Sequence, residues 1–179
     1  MFLDAGSHLN DTAQSFGRLC EYKDLAASTG SVFFALREHS QGEWISPEVA
    51  AYLEMTEEAS RLPQVVSGSF ILRNDDESRR LVESWFKLSQ VDDGQLLVGT
   101  STNHRHDQSL LSHLVYEAGL HPLPDETWSE NWKNMSTFPI WTARNRTGFR
   151  FRPLASWNRL NRLLERARGR VDRGSRSNH

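Results

Sequence analysis

Cysteine is all but missing from this 179-residue sequence. Cys20 stands alone, which excludes an intramolecular disulfide framework and a zinc site built on several thiolates. Long apolar runs are missing as well. The longest, Val32 to Leu36, falls far short of the roughly 20 residues that a helical membrane span requires. Asp4 interrupts the opening residues and no apolar stretch follows, so no secretory signal is expected and the expected location is the cytoplasm. Nor is there a surplus of positive charge. With 21 basic and 23 acidic residues the net is −2, which argues against a dedicated nucleic-acid binder, whose folded surface is itself basic. No internal repeat is visible, and the composition is neither collagenous, coiled-coil nor wholly disordered. What is present is aromatic. Six Trp, nine Phe and three Tyr supply a core despite a mean hydropathy of −0.60, and the length suits one domain with a short appendage.

The near-neutral total hides a segregated charge. From Arg150 to His179 there are nine arginines against Glu165 and Asp172, a net of +7, whereas residues 1–149 hold 12 basic and 21 acidic groups, a net of −9. An acidic body with a basic tail points to a partner for the tail, an anionic surface, or else to a solvated basic terminus.

Apolar spacing and turn chemistry predict alternating strands and helices. Phe2–Asp4 reads as a short strand end. Asp11 or Thr12 caps a helix to about Ala27, with Phe16, Leu19, Cys20 and Leu25 near one face. Ser31–Leu36 reads as a buried strand, and Ser46 with Pro47 opens a helix to Met55. A further turn covers Glu57–Arg61. Gln64–Arg73 reads as one strand with Gly68 inside it, where glycine marks a bulge or a close ligand approach. Asp75 or Asp76 caps a helix to Ser89 that turns Leu81, Val82, Trp85 and Leu88 inward. His106-Asp107 opens another, with Leu110, Leu111, Leu114 and Val115 inward and Gly119 as its stop. Phe138–Trp141 reads as a short strand and Trp157–Ala167 as a basic amphipathic helix. The fold class is therefore α/β. The expected organisation is a main domain over 1–152, an amphipathic helix over 153–168 and a disordered basic tail over 169–179. The strand at Phe2–Asp4 has nothing ahead of it, so the chain is expected to begin inside a domain.

The polar residues of this frame admit more than one reading. Asp4 is a ligand or a turn former before Gly6. Asp107 is an N-cap, a site residue or both, and Gln108 lies beside it. His104 and His106 with Asp107 form an H-x-H-D pattern that metallohydrolases also use, but His113 and His121 fall poorly for completing a ligand set. His106-Asp107 also fits a phosphohydrolase pair that lacks its usual partners here. Trp128 and Trp132 either stack on a sugar or seal the core, and Cys20 reads as inert packing.

In sequence order, Leu3-Asp4-Ala5-Gly6, Gln64–Leu72 around Gly68, the Ser78–Trp85 helix and His106-Asp107-Gln108-Ser109-Leu110-Leu111 are similar to segments of GT-A-fold nucleotide-sugar glycosyltransferases, the family 8-like group. The resemblance covers about residues 1–150. It implies a partial GT-A-like mixed sheet flanked by helices, without the nucleotide-binding strands that precede the Asp4 segment in that family. It also implies transfer of a sugar from a nucleotide-sugar donor to an acceptor hydroxyl on a glycan or lipid-linked saccharide. On that likeness Asp4 serves the diphosphate or a metal, Gly68 lets the sugar approach, and Asp107 with Gln108 serves the sugar hydroxyls or reacting centre.

The departures have their own consequences. Gly6 replaces the second acidic residue of the family's Asp-x-Asp pair, and no late histidine follows Met135 before Arg152. Mn²⁺ or Mg²⁺ would then rest on Asp4 as a weak ligand set, and Arg144 and Arg146 would neutralise the departing diphosphate instead. The Trp157–Arg168 helix would either pack Trp157 and its leucines against the body, with its arginines paired to the body's excess acids, or make peripheral contact with an anionic membrane. The alternative is a non-catalytic carbohydrate- or protein-interaction domain left by truncation.

Overall fold

The computed structural model describes residues 1–4, 7–99, 104–127 and 138–142. The chain divides into two units, Met1–Arg144 and Asn145–His179, and every described residue belongs to the first. The predicted 153–168 helix, the 169–179 tail, Gly6, Trp128, Trp132, Arg144 and Arg146 lie outside the described residues.

The fold is mixed α/β, with small sheets and flanking helices. In chain order the elements are β1 (Phe2–Leu3), β2 (Ser7–Leu9), α1 (Ala13–Thr29), β3 (Ser31–Val32), β4 (Phe34–Ser40), α2 (Pro47–Tyr52), α3 (Glu57–Arg61), β5 (Pro63–Val65), β6 (Ser69–Leu72), α4 (Asp76–Ser89), a 3-10 segment (Val91–Leu97), α5 (Asp107–Glu117), β7 (Leu123–Pro124) and β8 (Ile140–Thr142). β6 is the centre of one sheet, antiparallel to both β1 and β3. β4 is the centre of another, antiparallel to β5 and parallel to β7. β2 and β8 form a separate antiparallel ribbon. Among the described residues no helix is long and apolar enough to cross a membrane.

Two sequence expectations are corrected by strand pairing. The run Gln64–Arg73 is two strands, because β5 follows β4 whereas β6 leaves to pair with β1 and β3. The run from Ser31 likewise changes partners at Phe33, with Val32 opposite Ile71 and Ala35 opposite Val65. The side chains at this crossover alternate between two cores. Val32 and Phe34 face Tyr22 and Ala26 of α1, and Phe33 faces Leu111 and Val115 of α5. Both faces are covered by helices, so the strand reads as an unbroken apolar run.

The helices begin where local chemistry places them. Thr12, Ser46 and Asp75 accept hydrogen bonds from the amides of Ser15, Val49 and Ser78, each three residues on. Gly119 takes the left-handed φ of +68 that ends α5. Two faces and one helix end differ from expectation. On α1 the buried stripe is Ser15, Tyr22 and Ala26, with Leu19 and Leu25 half-buried, which leaves Cys20 exposed on the neighbouring face. On α4, Val82 is exposed alongside Phe86, while Leu81 and Trp85 reach the core. α2 ends at Tyr52, short of the expected Met55.

Candidate functional site

Asp4 follows β1 directly, and its position is set by the crossover just described. Leu3 pairs with Ser69, and the Asp4 N–H donates to the Gly68 carbonyl at 2.8 Å. The Asp4 carbonyl then accepts at 2.8 Å from the N–H of Ser7, the first residue of β2. Gly68 thus lies beside Asp4. A Cβ added at 68 would meet only the Asp4 Cβ, at 3.6 Å, an ordinary contact. The fold itself does not demand glycine at 68.

Asp107 is the first residue of α5, not its cap; the capping position is His106. Although Asp107 presents surface to solvent, loss of hydration around its carboxyl pushes the proton affinity up. Asp4's negative charge adds to this. The amides of Gln108 and Asp107 and the nearby His106 pull in the opposite direction without prevailing. Asp4 is the weakest of these influences on Asp107. The Asp107 carbonyl accepts from Trp85 Nε1 at 2.9 Å, which ties α5 to α4.

Gln108 differs in situation. It is buried, its Nε2 donates to Gln64 Oε1 at 3.3 Å, and Gln64 Nε2 in turn donates to Ser109 Oγ at 3.4 Å. Ser109 Oγ donates to the Trp44 carbonyl at 2.7 Å. The side chain of Gln108 holds α5 to β5 through this chain of polar groups.

The two histidines of the H-x-H-D pattern are occupied by backbone groups. His104 is fully buried; its Nε2 meets the Leu96 carbonyl at 2.8 Å and its Nδ1 accepts from Ser46 N at 3.4 Å. Burial holds it below the usual histidine range, and hence neutral. His106 Nδ1 meets the Leu97 carbonyl at 2.7 Å. Among the described residues no group of three or more His, Cys, Asp or Glu is placed to hold a metal ion.

Sequence reasoning missed two features near this place. Arg105 stacks its guanidinium 4.0 Å from the Trp44 ring centroid, and Trp85, read only as apolar, uses its indole N–H at Asp107. Neither pair is local in sequence, and nothing in composition or spacing signals them. No protein-family model, no curated protein and no solved structure matches the chain.

Proposed function

We propose that this chain is the sugar-transferring portion of a nucleotide-sugar glycosyltransferase with a GT-A-like arrangement. The observation that carries the reading is the meeting of Asp4 and Gly68, far apart in sequence, through the Asp4 N–H and the Gly68 carbonyl at 2.8 Å. In the reaction an acceptor hydroxyl displaces a nucleoside diphosphate from the anomeric carbon of the donor sugar. The bond from that carbon to the diphosphate breaks, the bond to the acceptor oxygen forms, and the acceptor proton passes to a base.

Positioning and charge neutralisation supply most of the catalysis in such a step. Asp107, at the open end of α5, faces the sugar hydroxyls or the reacting centre. Asp4 serves the diphosphate side. Two carboxylates alone would repel a diphosphate, so a cation must stand between them and it; Arg144 and Arg146, or Mn²⁺ or Mg²⁺ on Asp4, fill that role in this reading. Gln108 supports the site from within, and the acceptor is a glycan or a lipid-linked saccharide.

Asp107→Asn is the direct test. It should reduce release of nucleoside diphosphate from UDP-glucose, UDP-galactose or GDP-mannose by at least about tenfold, equivalent to ~1.4 kcal/mol at the transition state. Turnover at the parent rate in the folded variant would remove Asp107 from the site. Absence of turnover in the parent chain, with glycan still bound in a titration, would favour the interaction-domain reading.

A further inference from the structure

The residue before Asp107 has a backbone that L side chains rarely adopt. His106 has φ 50 and ψ −125, a region in which glycine is at ease and a side chain is strained. Such a conformation persists only where its surroundings over-determine it. The surroundings here are specific. His106 Nδ1 donates to the Leu97 carbonyl at 2.7 Å, while buried His104 takes the adjacent Leu96 carbonyl at 2.8 Å. The two rings meet edge to face with centroids 5.9 Å apart. On the other side, Trp85 Nε1 holds the Asp107 carbonyl at 2.9 Å.

α5 is also unlike its neighbours. The capping residues of α1, α2, α3 and α4, namely Thr12, Ser46, Thr56 and Asp75, all accept a backbone N–H from their own helix. His106 makes no such bond. Its ring is turned to the Leu97 carbonyl instead, at the end of the 3-10 segment.

We propose that His106 is a positioning residue for Asp107: its hydrogen bond to the Leu97 carbonyl holds the backbone twist from which Asp107 starts α5. What Asp107 does there rests on the sugar-transfer reading; how it is held does not. Asparagine can place an amide N–H where Nδ1 stands and, like histidine, is held in the twist by that bond. Alanine lacks the donor, and glycine takes the twist but lacks the donor as well.

Three variants of the full chain, His106→Asn, His106→Ala and His106→Gly, separate these contributions. The Trp85 indole N–H resonance is the structural readout, and diphosphate release from UDP-glucose, UDP-galactose and GDP-mannose the functional one. In the alanine and glycine variants the indole signal should shift and exchange with solvent at least about tenfold faster. Their kcat should fall at least about tenfold with KM held within about twofold, whereas asparagine should keep both readouts within about threefold of the parent. If alanine fails to fold, glycine carries the comparison. An unshifted indole with parental kcat in the glycine variant, or asparagine failing as glycine does, overturns the proposal. A parent chain inactive on all three donors, with the indole pattern as expected, upholds the positioning and overturns sugar transfer.

Discussion

Gly68 and Gly99 answer to different constraints, and the difference is measurable. A Cβ at 99 would lie 2.5 Å from the Cβ of buried His104, so the fold must shift to admit it. Gly99→Ala should lower stability by about 1–3 kcal/mol, the usual range for overpacking a filled interior. Gly68→Ala should change stability by less than about 0.5 kcal/mol, because only an ordinary contact with Asp4 is added. On the sugar-transfer reading it should nevertheless weaken donor binding in a titration with UDP-glucose, because in that reading the sugar approaches Gly68. Parental affinity in Gly68→Ala would remove that position from the site.

Asp107 carries the opposite balance of stability and function. Its carboxyl titrates above the usual range, chiefly from lost hydration, so its ionised form is less favourable in the folded chain than in the unfolded one. Raising the pH through the ordinary carboxylate range, about 4, therefore costs the parent stability that an asparagine does not lose. Asp107→Asn should melt higher than the parent at neutral pH, with the gap closing below about pH 4. A lower melting temperature at pH 7 would show that the helix N-terminus favours the charge more than burial opposes it.

At the scale of elements, α1 is anchored by a group that no local pattern announces. Arg18 donates Nε and a terminal nitrogen to Glu126 at 2.9 and 2.8 Å, and fully buried Tyr22 gives its hydroxyl to the same carboxylate. Burial alone would raise the Glu126 proton affinity, but the hydrogen bonds from Arg18 and Tyr22 outweigh it and hold it below the usual range. Stability from this pair is thus present above the ordinary glutamate range and lost as pH falls through the lowered native value. Glu126→Gln should cost about 1–2 kcal/mol at pH 7, a figure kept low because Arg18 is partly exposed, and the difference should shrink in acid. A pH-independent difference in urea melts would point to packing instead of charge.

The helix starts at Thr12, Ser46 and Asp75 were legible because a cap involves residues only three apart. The division of Gln64–Arg73 into β5 and β6 was not, since it depends on which strand each half meets. The same holds for β2 and β7, too short to leave a periodic trace and present only because β8 and β4 lie beside them. For the site, the motif order named Asp4, Gly68, Asp107, Gln108, Arg144 and Arg146, of which the last two lie outside the described residues. The Gln64 partner of Gln108 and the strained backbone of His106 arise from tertiary contacts and left no signal.

For the whole molecule, the segregated charge is the feature with the clearest external consequence. The nine arginines after residue 149 include Arg159, Arg162 and Arg166, flanking an apolar stripe of Trp157, Leu160 and Leu164 in the sequence pattern. The proposed contact is with an anionic membrane. At low salt, phosphatidylglycerol vesicles should co-sediment the full chain. A variant with those three arginines changed to glutamine should bind on the order of a hundredfold more weakly, at about 1 kcal/mol for each lost charge. Equal recovery of the two proteins would sink the membrane contact.

The ribbon of β2 and β8 pairs Ser7 with Thr142 and Leu9 with Ile140, while β1 pairs Phe2 with Phe70. Asp4 sits between these two attachments. Closing the longer loop carries a larger entropy loss than closing the shorter one, and pairings so distant in sequence form slowly. On a ribosome adding about 5–20 residues per second, β1 can dock once β6 has emerged, but β2 must wait for β8. Asp4 therefore stays tethered on one side only until nearly the entire unit has been made, and its surroundings are the last part of it to close.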